Sequence, residues 1–478
     1  MQHKSLIQVN KTGTAATAMN LIHRIKSNLN DEHFGEVLKG SIYTLLGRGT
    51  GAILALLLQL LIIRQYGAEV LGVTELVNSF LNLIVTLPLL GNHIAILRFI
   101  PEYIGNNCPH VAFKVYRKLL YLVIALSVIL IPLVIGNPDF VAEKLFTKPQ
   151  YQTFLLLAGL FIPFRALYEY TLFVTRGLRL IRVFFFLQPL PIVVNLTLLL
   201  ALTVFYNEYN PIYSLLLGYF VASMTGIVVS EREFGKLNNQ KIPNTPVNSS
   251  DSLSGSVPSM TSLLSVSLPM FITNSMNHIN NQAGVLLLGV LSSEREIAYY
   301  AVAAKLASLT NFTLMAINSM VAPKFSELYH TGRIDQLQEV VRKSTKLTFW
   351  SSAPVLLGLL LFGRLLLEST YGREFLSSYV PLVILVVGQF VNAMSGAVTL
   401  FLNMTGNERL STTIVFFSCV INLGMSYLLI PPCGIVGAAM ASSFSVIFWN
   451  LSMVLVIRTN YNILFIHSPF DKPWGERQ

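Results

Sequence analysis

The 478-residue chain is 53% hydrophobic and only 12% charged, with a mean hydropathy of +0.61. A soluble domain carries about twice that share of charge, so a soluble enzyme does not describe the bulk of the chain. The net charge of +10 fits Lys and Arg gathered on the cytosolic side of a membrane protein better than a nucleic-acid partner.

Residues 1–38 are mixed and polar, with Lys4, Lys11, Arg24, Lys26, Asp31, Glu32 and Glu36 and no apolar h-region. They read as a cytosolic tail, not a signal peptide. Twelve long apolar stretches follow. The first six are expected near 40–63, 70–97, 116–136, 152–175, 183–206 and 211–230. The last six are expected near 261–291, 296–322, 347–368, 377–403, 411–430 and 434–457. Each runs roughly 18–30 residues, enough to cross a bilayer as a helix. The run AILALLLQLLII in the first is apolar all round, as a membrane helix should be. Spans 2, 7 and 8 are more polar, with Glu75, Asn78, Asn82 and His93, then Asn274 to Gln282, then Lys305.

The segment 231–258, rich in Ser, Asn and Pro without apolar period, reads as a cytosolic linker. The expected organisation is therefore a tail (1–38), a six-helix bundle (39–230), the linker, a second six-helix bundle (259–458) and a cytosolic tail (459–478). Most of the 33 Lys and Arg lie in the tails and in the loops near 98–118, 176–182, 231–258, 323–346 and 404–410. The opposite side holds only Arg64, Lys144, Lys148, Arg295, Arg364 and Arg373. That asymmetry puts both termini in the cytosol and requires an even number of spans. The three cysteines, Cys108, Cys419 and Cys433, suit neither a metal site nor a disulfide framework. No cofactor is expected.

The halves look related. At an offset of 226, Arg98-Phe99 meets Lys324-Phe325 and Tyr103 meets Tyr329. Arg117-Lys118 matches Arg342-Lys343 after a one-residue slip, and Val-Asn-Leu at 194–196 resembles Ile-Asn-Leu at 421–423. Six spans per half make both repeats enter from the same side, so they are parallel repeats about an axis along the membrane normal. The stretch RIDQLQEVVRKSTK after span 8 is expected to form a short amphipathic cytosolic helix.

Several local sequences resemble a known family. Span 2 opens with Tyr66-Gly67-Ala68-Glu69 and Leu71-Gly72 and closes with Arg98-Phe99-Ile100-Pro101-Glu102-Tyr103. Ala322-Pro323-Lys324-Phe325 follows span 8 and Thr405-Gly406-Asn407 follows span 10. Over roughly residues 38–460 this resembles the Wzx-like O-antigen and polysaccharide flippases of the multidrug/oligosaccharidyl-lipid/polysaccharide (MOP) exporter superfamily. The resemblance implies an all-α fold of two six-helix bundles around a V-shaped cavity. It implies movement of an undecaprenyl-pyrophosphate-linked oligosaccharide from the cytosolic to the periplasmic leaflet of a bacterial plasma membrane. The lipid-linked oligosaccharide and the bilayer are then the partners, with a polysaccharide polymerase and chain-length proteins beside them. No strict motif fixes the glycan.

Moving a pyrophosphate calls for cations in a wet cavity, and intramembrane Lys and Arg usually face a cavity or a partner. Arg48, between Gly47 and Gly49, either grips phosphate or packs near the cytosolic face. Lys305 either lines the cavity or pairs with Glu75. Arg165 and Glu169, four apart, either pair with each other or line the cavity. Glu75, if buried, is the candidate for ion coupling. Asn274, His278, Asn281 and Gln282 form a polar stripe that either presents amides to sugar hydroxyls or glues helices together. His278 either titrates or packs. Of the prolines inside spans, Pro269 in span 7 is the one placed to gate.

No Walker A loop, dinucleotide fingerprint, HExxH or nucleophile elbow occurs, so an enzyme is not expected. Two relatives of the leading reading stay open: a cation-coupled multidrug exporter of the same superfamily and a lipid II-type flippase. Intramembrane positive charge disfavours a cationic drug, and lipid II-type flippases tend to have more spans than twelve.

Overall fold

The computed structural model describes residues 32–136, 152–205, 207–239, 257–461 and 463. Residues 137–151, most of the expected linker (240–256) and most of the expected tails (1–31, 462 and 464–478) lie outside the described residues. Within them the chain is a succession of helices, because a segment in hydrocarbon must satisfy its backbone N–H and C=O groups internally.

Helix α1 (Glu32–Ile84) carries span 1 and the first part of span 2. Gly67 turns it, with φ 87 and ψ 174, a conformation that side chains resist. Span 2 was expected to be continuous. Instead it continues as α2 (Thr86–Leu89) and α3 (Asn92–Gly105), broken where Leu90 and Gly91 take φ 42 and φ 74. Then come α4 (Pro109–Ile135) and α5 (Gln152–Gly177). Span 5 is also divided, into α6 (Ile181–Leu187) and α7 (Leu190–Leu202), with Pro189 at the junction. Helix α8 (Asn210–Asn239) runs on into the stretch expected as linker.

The second half begins with α9 (Met260–Leu291) and α10 (Glu294–Ala307). The second of these opens on a capping box in which Ser293 and Glu296 bond reciprocally. Span 8 is interrupted by a 3₁₀ turn at Ser308–Thr310 before α11 (Asn311–His330). The amphipathic stretch expected as a separate helix is the first part of α12 (Ile334–Leu366), continuous with span 9. Its Leu337 and Val341 are buried, and this apolar stripe lets one helix serve both surfaces. The chain ends in α13 (Tyr379–Ser395), α14 (Val398–Met404) and α15 (Glu408–Tyr461), the last turned at Gly434.

Nine helices among the described residues are long and apolar enough to cross a membrane. The two turned at Gly67 and Gly434 hold two spans each, and the 32-residue α9 is too polar to be among the nine. Together these make the twelve spans of two six-helix repeats. Alternation of the spans gathers the turns after α3, α5, α11 and α14 at one end, the basic end, with Arg179 and Arg333 in two of them and Arg98, Lys114, Arg117, Lys118 and Arg409 in the helices that flank the others.

In the first half α5 packs on α4 and α8, and α8 on α7. In the second, α15 packs on α9 and α13. The halves join mainly where α1 meets α10 and α9. There Tyr66 and Leu71 share a core with Ala298, Val302 and Leu306. The backbones approach closely: a Cβ on Gly72 would lie 1.9 Å from the Glu294 carbonyl oxygen. At the end away from the basic turns, Glu69 and Arg295 pair at 2.9 Å, and they are separated by the repeat offset of 226 residues. Positions equivalent in two parallel repeats meet each other only near the axis that relates them.

Gly72→Ala is therefore expected to destabilise the purified protein by about 1–3 kcal/mol through overpacking, read as a lowered Tm in detergent. Gly49→Ala meets no atom within 4 Å and should hold or raise Tm.

Candidate functional site: a polar cavity at the join

A cavity of about 430 Å³ opens where the halves meet. The second limb of α1 supplies Glu75, Asn78, Ser79 and Asn82, one face at helical spacing. Opposite lie Ala301, Ala304 and Lys305 of α10 and Ser308 of the turn that follows it. At the 226 offset these two stripes are equivalent, residue by residue: 75 with 301, 78 with 304, 79 with 305 and 82 with 308. The cavity is thus built around the repeat axis. Its geometry is shared but its chemistry is not. Asn280, Asn281 and Gln282 of α9 also line it, while the equivalent positions of α1 are Leu54, Ala55 and Leu56. Gln389, Asn422, Ser442 and Trp449 complete the wall from α13 and α15.

The charged residues on this lining are Glu75 and Lys305. Lys305 Nζ donates to Glu75 Oε1 at 3.3 Å, and Gln59 Nε2 donates to the same oxygen at 2.8 Å. Lys305 therefore does both things its sequence allowed: it lines the cavity and it pairs with Glu75. Asn281 and Gln282 reach the cavity; Asn274 and His278 are not on its lining. Asn274 Nδ2 instead faces His93 Nε2 at 3.4 Å, bridging α9 and α3. His278 lies within electrostatic reach of Glu169 and Arg165.

Arg165 is buried and Glu169 half-buried, both on α5 of the first half, joined at 2.7 Å. Asn82 Oδ1 accepts from Arg165 Nη2 at 3.0 Å and from Nε at 3.3 Å. The guanidinium also lies over the Tyr219 ring, 4.9 Å from its centroid. Arg165 and Glu169 thus pair with each other, and neither is on the lining of this cavity. Arg48 sits on α1, but its side chain lies outside the described ones; Gly49 beside it faces open space, while Gly47 lies against Gln188 and Phe185.

One cluster was not read from sequence as a unit. Asn280 Nδ2 donates to Ser418 at 3.1 Å, and Asn280 Oδ1 accepts from Asn422 at 2.7 Å and Ser445 at 3.1 Å. This fully bonded knot ties the middle of α9 to both limbs of α15. Below it, Pro269 of α9 stands near the broken part of span 2, since a Cβ on Gly91 would lie 2.2 Å from the Ser267 carbonyl oxygen. No group of three or more potential metal ligands occurs among the described residues.

Removing one member of the Arg165–Glu169 pair strands a charge. Arg165→Met is expected to cost about 3–5 kcal/mol, seen as a large fall in Tm. Arg165→Met with Glu169→Met should recover most of it.

Residues 111–380, more than half of the chain, match the family model described as polysaccharide biosynthesis protein. A probable low-salt glycan biosynthesis flippase, Agl15 of Haloferax volcanii, is 27% identical over 191 residues. That match spans 39% of this chain and 39% of the relative's own length. An uncharacterized membrane protein of Methanocaldococcus jannaschii is 22% identical over 92% of this chain and 86% of its own. Among solved structures, an inward-facing multidrug resistance MATE family transporter of the MOP superfamily superposes with a TM-score of 0.68 at 16% identity, covering 86% of this chain and 94% of that one. The lipid II flippase MurJ in an inward closed conformation gives 0.67 at 14% identity, with 87% of each chain covered. A chain with this match, twelve spans and these structural likenesses belongs to the polysaccharide biosynthesis protein family and is a multi-pass membrane protein with the fold of the MOP transporters.

Proposed function

We propose that this chain flips a lipid-linked oligosaccharide, of the undecaprenyl-pyrophosphate type, from the cytosolic to the outer leaflet by alternating access. The observation that carries the reading is the cavity, polar on both walls and centred on the axis of the two repeats, in a member of a polysaccharide biosynthesis family. Its 430 Å³ is the size of a small-ligand site, so it takes a headgroup portion while the lipid tail stays in the bilayer. Amides at 281 and 282 can both donate and accept, as sugar hydroxyls require, while those at 78 and 82, whose oxygens accept from Tyr219 and Arg165, offer N–H donors. Lys305 meets phosphate as a point charge. The halves 39–230 and 259–458 rock as bodies about their join, with the 231–258 segment and both termini on the cytosolic, basic end. Enzymatic chemistry has no part in this reading.

A multidrug exporter on the same fold is the competing reading. The Glu75–Lys305 pair makes the cavity charge-balanced, so net charge favours neither a cationic drug nor an anionic headgroup, and what supports the glycan reading is the amide lining in a member of a polysaccharide biosynthesis family.

Deletion of the gene is expected to abolish surface glycan and to accumulate lipid-linked repeat units inside, with restoration by the native gene. Lys305→Met at normal expression should lower export roughly tenfold or more, the size of losing one charge-assisted hydrogen bond. Unchanged glycan with raised sensitivity to cationic drugs would replace this reading with the exporter.

A further inference from the structure

The described residues hold two ion pairs that join the halves, Glu69–Arg295 and Glu75–Lys305. The first stands at the rim with both side chains 62% exposed, where solvent and salt leave a pair worth little. The second sits on the cavity wall, with Glu75 16% and Lys305 31% exposed. It is better shielded, and it is the charge contact that a molecule in the cavity can reach.

Its wiring is asymmetric. Glu75 Oε1 receives both Lys305 and Gln59. Gln59 and Glu75 both belong to α1, in the first half; Lys305 belongs to α10, in the second. Losing Lys305 therefore leaves Glu75 still hydrogen-bonded within its own half. Lys305 in turn keeps any new anionic partner with the second half. The pair is severed along the join, and each charge keeps a hydrogen-bond partner, Gln59 for Glu75 and the anion for Lys305. A pyrophosphate presents several oxygens to an ammonium that has three donors, against the single carboxylate oxygen that Lys305 now contacts. A neutral molecule offers Lys305 only uncharged oxygens, weaker partners than the carboxylate, and leaves the pair intact.

We infer that Glu75–Lys305 is a cargo-operated lock: a phosphate or pyrophosphate group in the cavity takes Lys305 from Glu75 and so releases the end of the join opposite the basic turns. The identity of the cargo rests on the flippase reading; the lock itself does not. Only cargo that binds the unlocked arrangement better than the locked one shifts the equilibrium, and anionic charge is what confers that difference. The lock thus makes opening conditional on a charged headgroup.

Leu76 reports the state of the join. It is buried and stands against Gly289 of α9 across the interface. In full-length purified protein whose Cys108, Cys419 and Cys433 are replaced by serine, Leu76→Cys is labelled with a hydrophilic maleimide. Glu75→Gln or Lys305→Met is expected to raise the labelling rate about tenfold, equivalent to about 1.4 kcal/mol. The exchanged pair Glu75→Lys with Lys305→Glu should return it to the starting rate, which a general loss of folding would not do. Farnesyl pyrophosphate should raise labelling of the otherwise native protein and leave Lys305→Met unchanged, while farnesol does nothing. An equal effect of inorganic pyrophosphate would support the lock with the free anion as sufficient key. Unchanged labelling in both single variants overturns the lock whatever the cargo. Raised labelling in the variants with no response to either pyrophosphate overturns the partner exchange and leaves the flippase reading to its own export measurement.

Discussion

Inside hydrocarbon every backbone N–H and C=O must find a partner within the protein, and that requirement governs where this chain is regular and where it is broken. The apolar spans are helices because a helix closes its own hydrogen bonds. Two of the interruptions among the described residues lie against protein. Span 2 breaks at Leu90–Gly91 against the backbone of α9, and span 8 breaks at Ser308–Thr310 on the cavity wall. At the 226 offset the 3₁₀ turn corresponds to residues 82–84, at the end of α1, so the two breaks are displaced from each other by about two helical turns.

The same cost sorts the side chains. Charge and amides withdraw from lipid to two places, the join and the interior of the first half. In the first half Arg165 is surrounded by Glu169, Asn82 and Tyr219. At the join Lys305 has one carboxylate oxygen and a cavity in front of it. Two intramembrane cations of the same formal charge thus differ in setting: one is partnered within its own half and the other stands between two halves.

Duplication explains the frame and divergence explains the function. The lining stripes of α1 and α10 are equivalent in position, and Glu69 meets its own repeat partner Arg295. Yet the amides of α9 have Leu54, Ala55 and Leu56 as counterparts. The second half therefore presents most of the hydrogen-bonding surface, and the Asn280 knot holds that surface to α15. The first half supplies the carboxylate.

The sequence by itself determined the membrane class, the number of spans, the repeat and the basic end, because each depends on composition summed over many residues. It also held the stripe Glu75, Asn78, Asn82, since helical spacing alone places those residues on one face. It left open whether Lys305 paired or lined the cavity, and it grouped Asn274 and His278 with Asn281 and Gln282 as one stripe. Only the tertiary structure separated them, because the break at Gly91 brings α3 against the lower part of α9, so Asn274 meets His93 while Asn281 and Gln282 face the cavity. The knot of Asn280, Asn422, Ser418 and Ser445 was equally out of reach: Asn280 lies more than a hundred residues from the other three, and a hydrogen bond needs partners within about 3 Å, a distance that packing sets and periodicity does not.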